Sequence, residues 1–248
     1  MSTAILSALP EEQSSLVQQL AHPQRLMHAG RAFWRGELHD RPVVLALSGI
    51  GKVAAATTAT LLIQQLGVDR IVFTGVAGGL GPGVQVGDVV VARSLLQHDY
   101  DASPIFPRHV IPGHGLSEFP TDEPLSLRLA QACETVLASL GQHVDAASAE
   151  KFGLHQPRLH QGLVISGDRF VCTTAESDQL VRDLPAALAV EMEGAAFAQV
   201  CKDFNVPLAV VRTISDRADD DAHVDFPTFL NEVASKYSGA IIEALFQH

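Results

Sequence analysis

Carboxylates stand directly behind three apolar runs of this sequence. Glu12 follows the run at residues 3–8, Glu191 and Glu193 follow the run ending near Val190, and Asp216 follows the run at 208–215. Acids in such a set suit cleavage of a glycosidic bond. The leaving base needs a proton donor, a water needs a base, and an electron-poor sugar needs a partner for its hydroxyls. Each acid also has an ordinary structural reading. Glu11 and Glu12 sit in the first turn of a helix, where the dipole favours acids. Glu191 and Glu193 flank Met192 at a strand-to-helix junction. Asp216, in Ile214-Ser215-Asp216-Arg217, has the alternatives of a helix cap or an ion pair with Arg217.

Other chemistries find less support. Gly75, Gly78, Gly79 and Gly81 do not give the G-x-G-x-x-G spacing of a dinucleotide site, and Pro82-Gly83 leads toward a strand. That stretch is read instead as backbone able to approach a flat ligand closely. Ser48-Gly49-Ile50-Gly51-Lys52 is not a phosphate loop, because Ala46 stands at the first glycine position and Val53 at the Ser/Thr position. The eleven His are scattered, with no H-E-x-x-H motif and no Cys pair at ligand spacing, so no metal and no cofactor is expected. A G-x-S-x-G elbow for a Ser/His/Asp triad is missing too.

These residues need a scaffold, and the alternation of short apolar runs with amphipathic ones supplies it. Strands are predicted at 3–8, 31–38, 42–48, 70–74, 86–94, 162–166, 187–191 and 208–215. Helices are predicted at 10–20, 51–66, 125–140, 179–184, 194–204 and 229–246. Residues 97–124, with five Pro, two Gly and three His, are read as a long functional loop, 146–161 as a second loose stretch and 219–225 as an acidic loop. Near-continuous Val/Ile/Leu/Ala strands between helices imply an α/β fold with a sheet buried on both faces. No repeat or linker divides the chain, so a single domain over 1–248 is expected. In such sheets ligands sit outside the carboxyl ends of strands, which is the position of the acids above.

The 248 residues are 47% hydrophobic and 18% charged, enough for a substantial core. A net charge of −11 argues against a nucleic-acid or anionic-membrane surface. Cys133, Cys172 and Cys201 are too far apart to imply a disulfide framework. The opening residues lack a basic n-region and no run is long enough to span a membrane, so a cytoplasmic protein is expected.

Taken in order, four stretches resemble the 5′-methylthioadenosine/S-adenosylhomocysteine nucleosidases within the nucleoside phosphorylase/hydrolase family. They are Ala8-Leu9-Pro10-Glu11-Glu12; Ser48-Gly49-Ile50-Gly51-Lys52-Val53-Ala54-Ala55-Ala56; Thr74-Gly75-Val76-Ala77-Gly78-Gly79-Leu80, continuing to Val86-Gly87-Asp88-Val89-Val90; and Ser166-Gly167-Asp168-Arg169-Phe170 with Ala189-Val190-Glu191-Met192-Glu193-Gly194-Ala195-Ala196 and Arg212-Thr213-Ile214-Ser215-Asp216. The resemblance implies a nucleoside phosphorylase-like fold, a mixed sheet flanked by helices. It also implies hydrolysis of an adenine nucleoside in methionine salvage and methyl-cycle recycling, by a homodimer.

Residue by residue, the resemblance implies that Asp216 protonates N7 of adenine, Glu12 activates water and Glu193 holds the ribose hydroxyls beside Met192. Val76, Ala77 and Gly78 would line the purine and ribose, Phe170 would stack on the base, and the Val171 backbone would read its edge. Leu9, Ile50 and Phe226 match positions near the 5′ substituent, while Ser215, Arg212 and Glu191 are supporting residues. Two departures bear on the 5′ group: the stretches 97–124 and 146–161 look long for the family, and Arg169 stands where a small residue is expected. The alternatives are a phosphate-dependent purine nucleoside phosphorylase, a futalosine-type nucleoside hydrolase and a non-catalytic nucleoside-binding protein. Phosphorolysis is disfavoured because Glu12 would repel phosphate and no Arg precedes Arg25.

Overall fold

The structure is a computed structural model that describes residues 2–219 and 226–247. In chain order its elements are β1 (Thr3–Ser7), α1 (Pro10–Gln19), β2 (Ala21–His28), β3 (Arg31–Leu38), β4 (Arg41–Leu47), α2 (Lys52–Gln64), β5 (Arg70–Phe73), β6 (Val76–Gly79), β7 (Val89–Gln97) and β8 (Glu118–Pro120). They continue with α3 (Glu123–Ala138), α4 (Ala146–Lys151), β9 (Leu159–Ser166), α5 (Thr174–Asp183), β10 (Ala187–Glu191), α6 (Gly194–Phe204) and β11 (Leu208–Asp216). Finally α7 (Phe226–Phe229) runs through a π turn, Leu230–Ala234, into α8 (Ser235–Gln247).

The strands form one mixed sheet in the order β2-β3-β4-β1-β5-β11-β6-β10-β9-β7-β8, and β11 also pairs with β7. Its first part is an open sheet whose inner strands β4, β1, β5 and β11 run parallel. Beyond that, β11, β6, β10, β9 and β7 close on themselves into a ring, because β7 returns to pair with β11. One strand therefore serves both parts: Leu208–Val210 pair with β5, while the residues from Val211 onward pair with β7 and β6. Every residue of β11 is buried, which its unbroken apolar run anticipates.

Helices cover both faces. Ala55, Ala59 and Leu62 of α2 and Phe197 and Cys201 of α6 pack with Phe73 and Val210 on one side. On the other, Leu16 of α1, Leu129 and Cys133 of α3, and Ile241 and Leu245 of α8 pack with Val72, Val89 and Val211. These apolar layers fix the strand ends from which the polar residues emerge.

The structure departs from the expected elements where polar sequence hides regular structure. Residues 21–28 form an edge strand that is mostly exposed on both faces, so it carries no apolar alternation to announce it. Residues 76–79, read as loop, form β6, because glycines there can sit between two strands. Within 97–124 a short strand, β8, pairs with β7, and within 146–161 lie α4 and the start of β9. Helix α5 starts at Thr174, not 179: the Thr173 hydroxyl accepts from the Glu176 N–H and bonds the Glu176 side chain, a capping pair visible as T-x-x-E. The strand expected at 86–94 lies at Val89–Gln97. Most of the expected acidic loop, 220–225, lies outside the described residues.

Candidate active site

The ends of β1, β5, β10 and β11 open into a cavity of about 400 Å³. All fifteen residues singled out from the sequence line it: Leu9, Glu12, Ile50, Val76, Ala77, Gly78, Phe170, Val171, Glu191, Met192, Glu193, Arg212, Ser215, Asp216 and Phe226. Its floor is buried and acidic, and Ile50 and Phe170 stand exposed at its rim.

Glu12 is placed by the turn after β1. Pro10 opens α1, and Glu12, two residues on, folds back so that Oε2 accepts from the N–H groups of Ala8 (2.9 Å) and Leu9 (2.8 Å). Its other oxygen, Oε1, accepts from the Val76 N–H at 3.1 Å. Glu12 thus caps its own helix and also reaches across to the start of β6. Burial pushes its carboxyl above the ordinary range, against the opposing pull of the backbone N–H groups and the Arg212 charge.

Glu191 ends β10 and is bound on both oxygens. It accepts from Arg212 Nη2 at 2.8 Å, from the Gly194 N–H at 2.9 Å and from the Ser166 hydroxyl. Arg212 is fully buried, with its guanidinium 3.8 Å from the centroid of the Phe73 ring. Glu193 stands at the N-cap position of α6, and its side chain accepts from the Gly51 N–H at 2.8 Å. Burial first, and then the charge of Glu191, raise its carboxyl well above the usual range. One paired cation thus faces Glu12, Glu191 and Glu193 together.

Asp216 closes β11. The register between β11 and β6 shifts between Ile214 and Asp216, leaving Ser215 as an extra residue, and such bulges re-aim side chains. The Ser215 hydroxyl donates to Asp216 Oδ2 at 2.6 Å, and the Ala218 N–H donates to Oδ1 at 2.8 Å. Burial raises the Asp216 carboxyl above its ordinary range despite these two donors. Gly78 lies beside it, paired to Asp216 on one side and to Val190 on the other. A Cβ there would come 3.0 Å from Asp216 Oδ1, and one at Gly75 would come 2.8 Å from Glu12 Oε1. The glycines of this segment make room for the two carboxylates, a reason beyond the flat-ligand reading drawn from the sequence.

Sequence reasoning gave no site role to Ala8, Phe73, Thr74 or Val190, which line the cavity together with Gly75, read there as close-approach backbone, and Arg169, read there as a departure bearing on the 5′ group. Phe73 and Thr74 end and follow β5, so the strand-end rule reached them, but an apolar ring and a hydroxyl carry no charge signal. Asp168 and Lys52 were also left aside. The Lys52 N–H donates to Asp168 at 2.8 Å, the Lys52 ammonium meets Asp99 at 2.5 Å, and the Asp168 N–H donates to Asp99 at 2.8 Å. This cluster ties the start of α2, which holds Glu193 through Gly51, to the segment carrying Phe170. Among the described residues no three His, Cys, Asp or Glu gather in a metal-binding group, and no helix is long and apolar enough to cross a membrane.

The family model of the phosphorylase superfamily matches residues 2–247. The 5′-methylthioadenosine/S-adenosylhomocysteine nucleosidase of Neisseria meningitidis, solved with methylthio-immucillin-A, is similar over 100% of this chain and 99% of its own, at 30% identity and a TM-score of 0.86. The nucleosidase of the same description from S. pneumoniae, solved with a transition-state inhibitor, covers 100% of this chain and 99% of its own at 31% identity and a TM-score of 0.85. The futalosine hydrolase of Helicobacter pylori matches 100% of this chain and 97% of its own at 31% identity and a TM-score of 0.84.

Proposed function

The chain belongs to the phosphorylase superfamily, and on that premise we propose that it hydrolyses the N-glycosidic bond of 5′-methylthioadenosine and S-adenosylhomocysteine, releasing adenine and the 5′-substituted ribose. The observation that carries hydrolysis over phosphorolysis is the use of the donors around Glu12. A helix N-terminus is a ready anion site, but here the N–H groups of Ala8, Leu9 and Val76 already serve the Glu12 carboxylate. Arg212 is committed to Glu191. A phosphate nucleophile would find an anion in its place, whereas a water would find a base.

In this reading Asp216 gives its proton to N7 of adenine as the C1′–N9 bond breaks and its electron pair passes to the base. The oxygen of water bonds to C1′, and its proton goes to Glu12. Glu193 accepts from the ribose hydroxyls, and the negative charge of ionised Glu12 lowers the energy of the oxocarbenium-like transition state. Met192 lies beside the sugar. Val76, Ala77 and Gly78 border the purine and ribose, Phe170 stacks on the base, and the Val171 backbone reads its edge. Leu9, Ile50 and Phe226 face the 5′ group, Ser215 orients Asp216, and Arg212 with Glu191 supports Glu193. Burial raises the carboxyl of Asp216 above its ordinary range, in the direction a proton donor needs.

The test is incubation with methylthioadenosine with and without inorganic phosphate. Adenine and free 5-methylthioribose at equal rates are expected; a phosphate-dependent sugar phosphate overturns the reading. A parallel assay with futalosine, named for the Helicobacter pylori relative, would identify the second candidate nucleoside. The same reading places the enzyme in the cytoplasm, serving methionine salvage and methyl-cycle recycling. It also makes it a homodimer, and Ile50, Val53, Ile105 and Phe106 are exposed apolar residues that such an interface could cover. A monomeric mass by light scattering would count against the dimer.

A further inference from the structure

The rim holds a cation that the mechanism does not use. Of the two arginines lining the cavity, Arg212 is buried against Glu191 and Phe73, so its charge is spent. Arg169 has 78% of its side chain in solvent. Its one ion pair among the described residues joins Nη2 to Glu176, which leaves most of the five guanidinium N–H donors open. The other oxygen of Glu176 bonds the Thr173 hydroxyl at 3.0 Å, so the ion pair is anchored to the helix cap. Lys52, a further cation in this region, is engaged by Asp99 at 2.5 Å and Asp168 at 3.7 Å.

The cavity rim beside Arg169 carries apolar side chains as well as the carboxylates of Asp168 and Glu176. Phe170, its neighbour in sequence, packs edge-on against Phe226 with ring centroids 6.0 Å apart, and Ile50 is 60% exposed. Arg169 lines the same cavity as Ile50 and Phe226, the residues read as facing the 5′ group. The floor is rich in carboxylates and would repel an anionic substituent. A substrate carrying a negative charge on its 5′ arm therefore needs a positive group at the outer end.

We infer that Arg169 selects nucleosides whose 5′ substituent ends in a carboxylate over neutral substituents of equal length. This rests on the nucleosidase reading above and adds a substrate class to it. The homocysteinyl arm of S-adenosylhomocysteine ends in such a carboxylate, and the methylthio group does not. Arg169 binds the acid with the N–H groups that Glu176 leaves open, so Glu176 both orients the guanidinium and competes for it.

The experiment compares 5′-(3-carboxypropylthio)adenosine with 5′-butylthioadenosine, which differ in the carboxylate alone. The readout is the ratio of their kcat/KM values in the wild type, Arg169→Ala, Arg169→Lys and Glu176→Gln. A charge-assisted hydrogen bond predicts that Arg169→Ala lowers this ratio about tenfold, through KM. Arg169→Lys recovers part of the loss, Glu176→Gln raises the ratio above wild type, and the effect shrinks at high salt as screening shortens. Ratios in Arg169→Ala within twofold of wild type overturn the assignment while leaving the nucleosidase reading intact. Failure of the wild type to release adenine from either compound overturns both.

Discussion

Asp216→Asn separates the proposed acid from the fold that holds it. The replacement is close to isosteric. Its carbonyl oxygen can keep the 2.8 Å bond from the Ala218 N–H. The amide nitrogen takes the place of Oδ2, 2.6 Å from the Ser215 hydroxyl, which turns from donor to acceptor there and is free to give its proton to the Ala77 carbonyl at 3.4 Å. The fold should therefore change in stability by no more than about 1 kcal/mol, the net worth of one hydrogen bond. The chemistry loses its proton donor. General acid catalysis contributes roughly 10²–10⁴ in rate, or about 3–5 kcal/mol of barrier. Adenine release under single-turnover conditions is the assay, with adenine binding followed by calorimetry and folding by the melting temperature. The expected variant is folded, binds adenine and turns over about 100-fold to 10,000-fold more slowly. Turnover within tenfold of wild type would refute the role given to Asp216.

Three more expectations follow from the same geometry. Glu12 must be ionised to take a proton and Asp216 protonated to give one, and burial raises both, so kcat/KM should fall as pH drops through the Glu12 value, above 4.5, and fall again as pH rises through the Asp216 value. Glu12→Gln should remove the acid limb of that bell, and a profile of unchanged shape would count against Glu12 as the base. Glu193 is pushed up to about 8, so its native form holds a proton that the unfolded chain has released; wild-type stability is lost as pH rises from 4.5 toward 8. Glu193→Gln, measured by melting temperature, should therefore stabilise more at pH 8 than at pH 5, by a few degrees for each kcal/mol; an equal gain at both pH values would remove the argument. Gly78→Ala places a Cβ 2.9 Å from the Ala218 Cβ and 3.0 Å from Asp216 Oδ1. It should cost about 1–3 kcal/mol in packing or in the barrier, read as a lower melting temperature or a kcat reduced about tenfold, and an unchanged enzyme would show that the segment is not close-packed.

The strand-end rule found the acids because apolar runs of this density can only be buried strands, and a charge at their end must face either solvent or a ligand. The acids meet in one cavity although one premise of the rule was incomplete. Glu191 ends a strand that runs antiparallel to β6, while Asp216 ends one that runs parallel to it. Both arrive at one cavity because Gly78 sits in the same row as Asp216 and Val190. Pairing of this kind depends on register over more than a hundred residues, which local patterns do not encode. The edge strand at 21–28 was hidden for a simpler reason, since a strand with two exposed faces has no apolar side to show. The cap of α5 was present in plain sequence as Thr173 and Glu176. The Lys52–Asp99–Asp168 cluster was not, because its members are brought together from three distant segments.

The ring of strands divides the molecule by what can be exchanged during divergence. A closed circuit of hydrogen bonds has no free edge to fray, so the floor carrying Glu191, Arg212 and Asp216 resists insertion or displacement at any single strand. The rim is assembled from connections that enter no ladder, such as those carrying Ile50, Arg169 and Phe170. Lengthening or recharging these connections alters which outer group is admitted without disturbing the register below. Glu191, Arg212 and Asp216 and the residues of the rim thus sit on separate parts of the chain, the first on laddered strands and the second on connections.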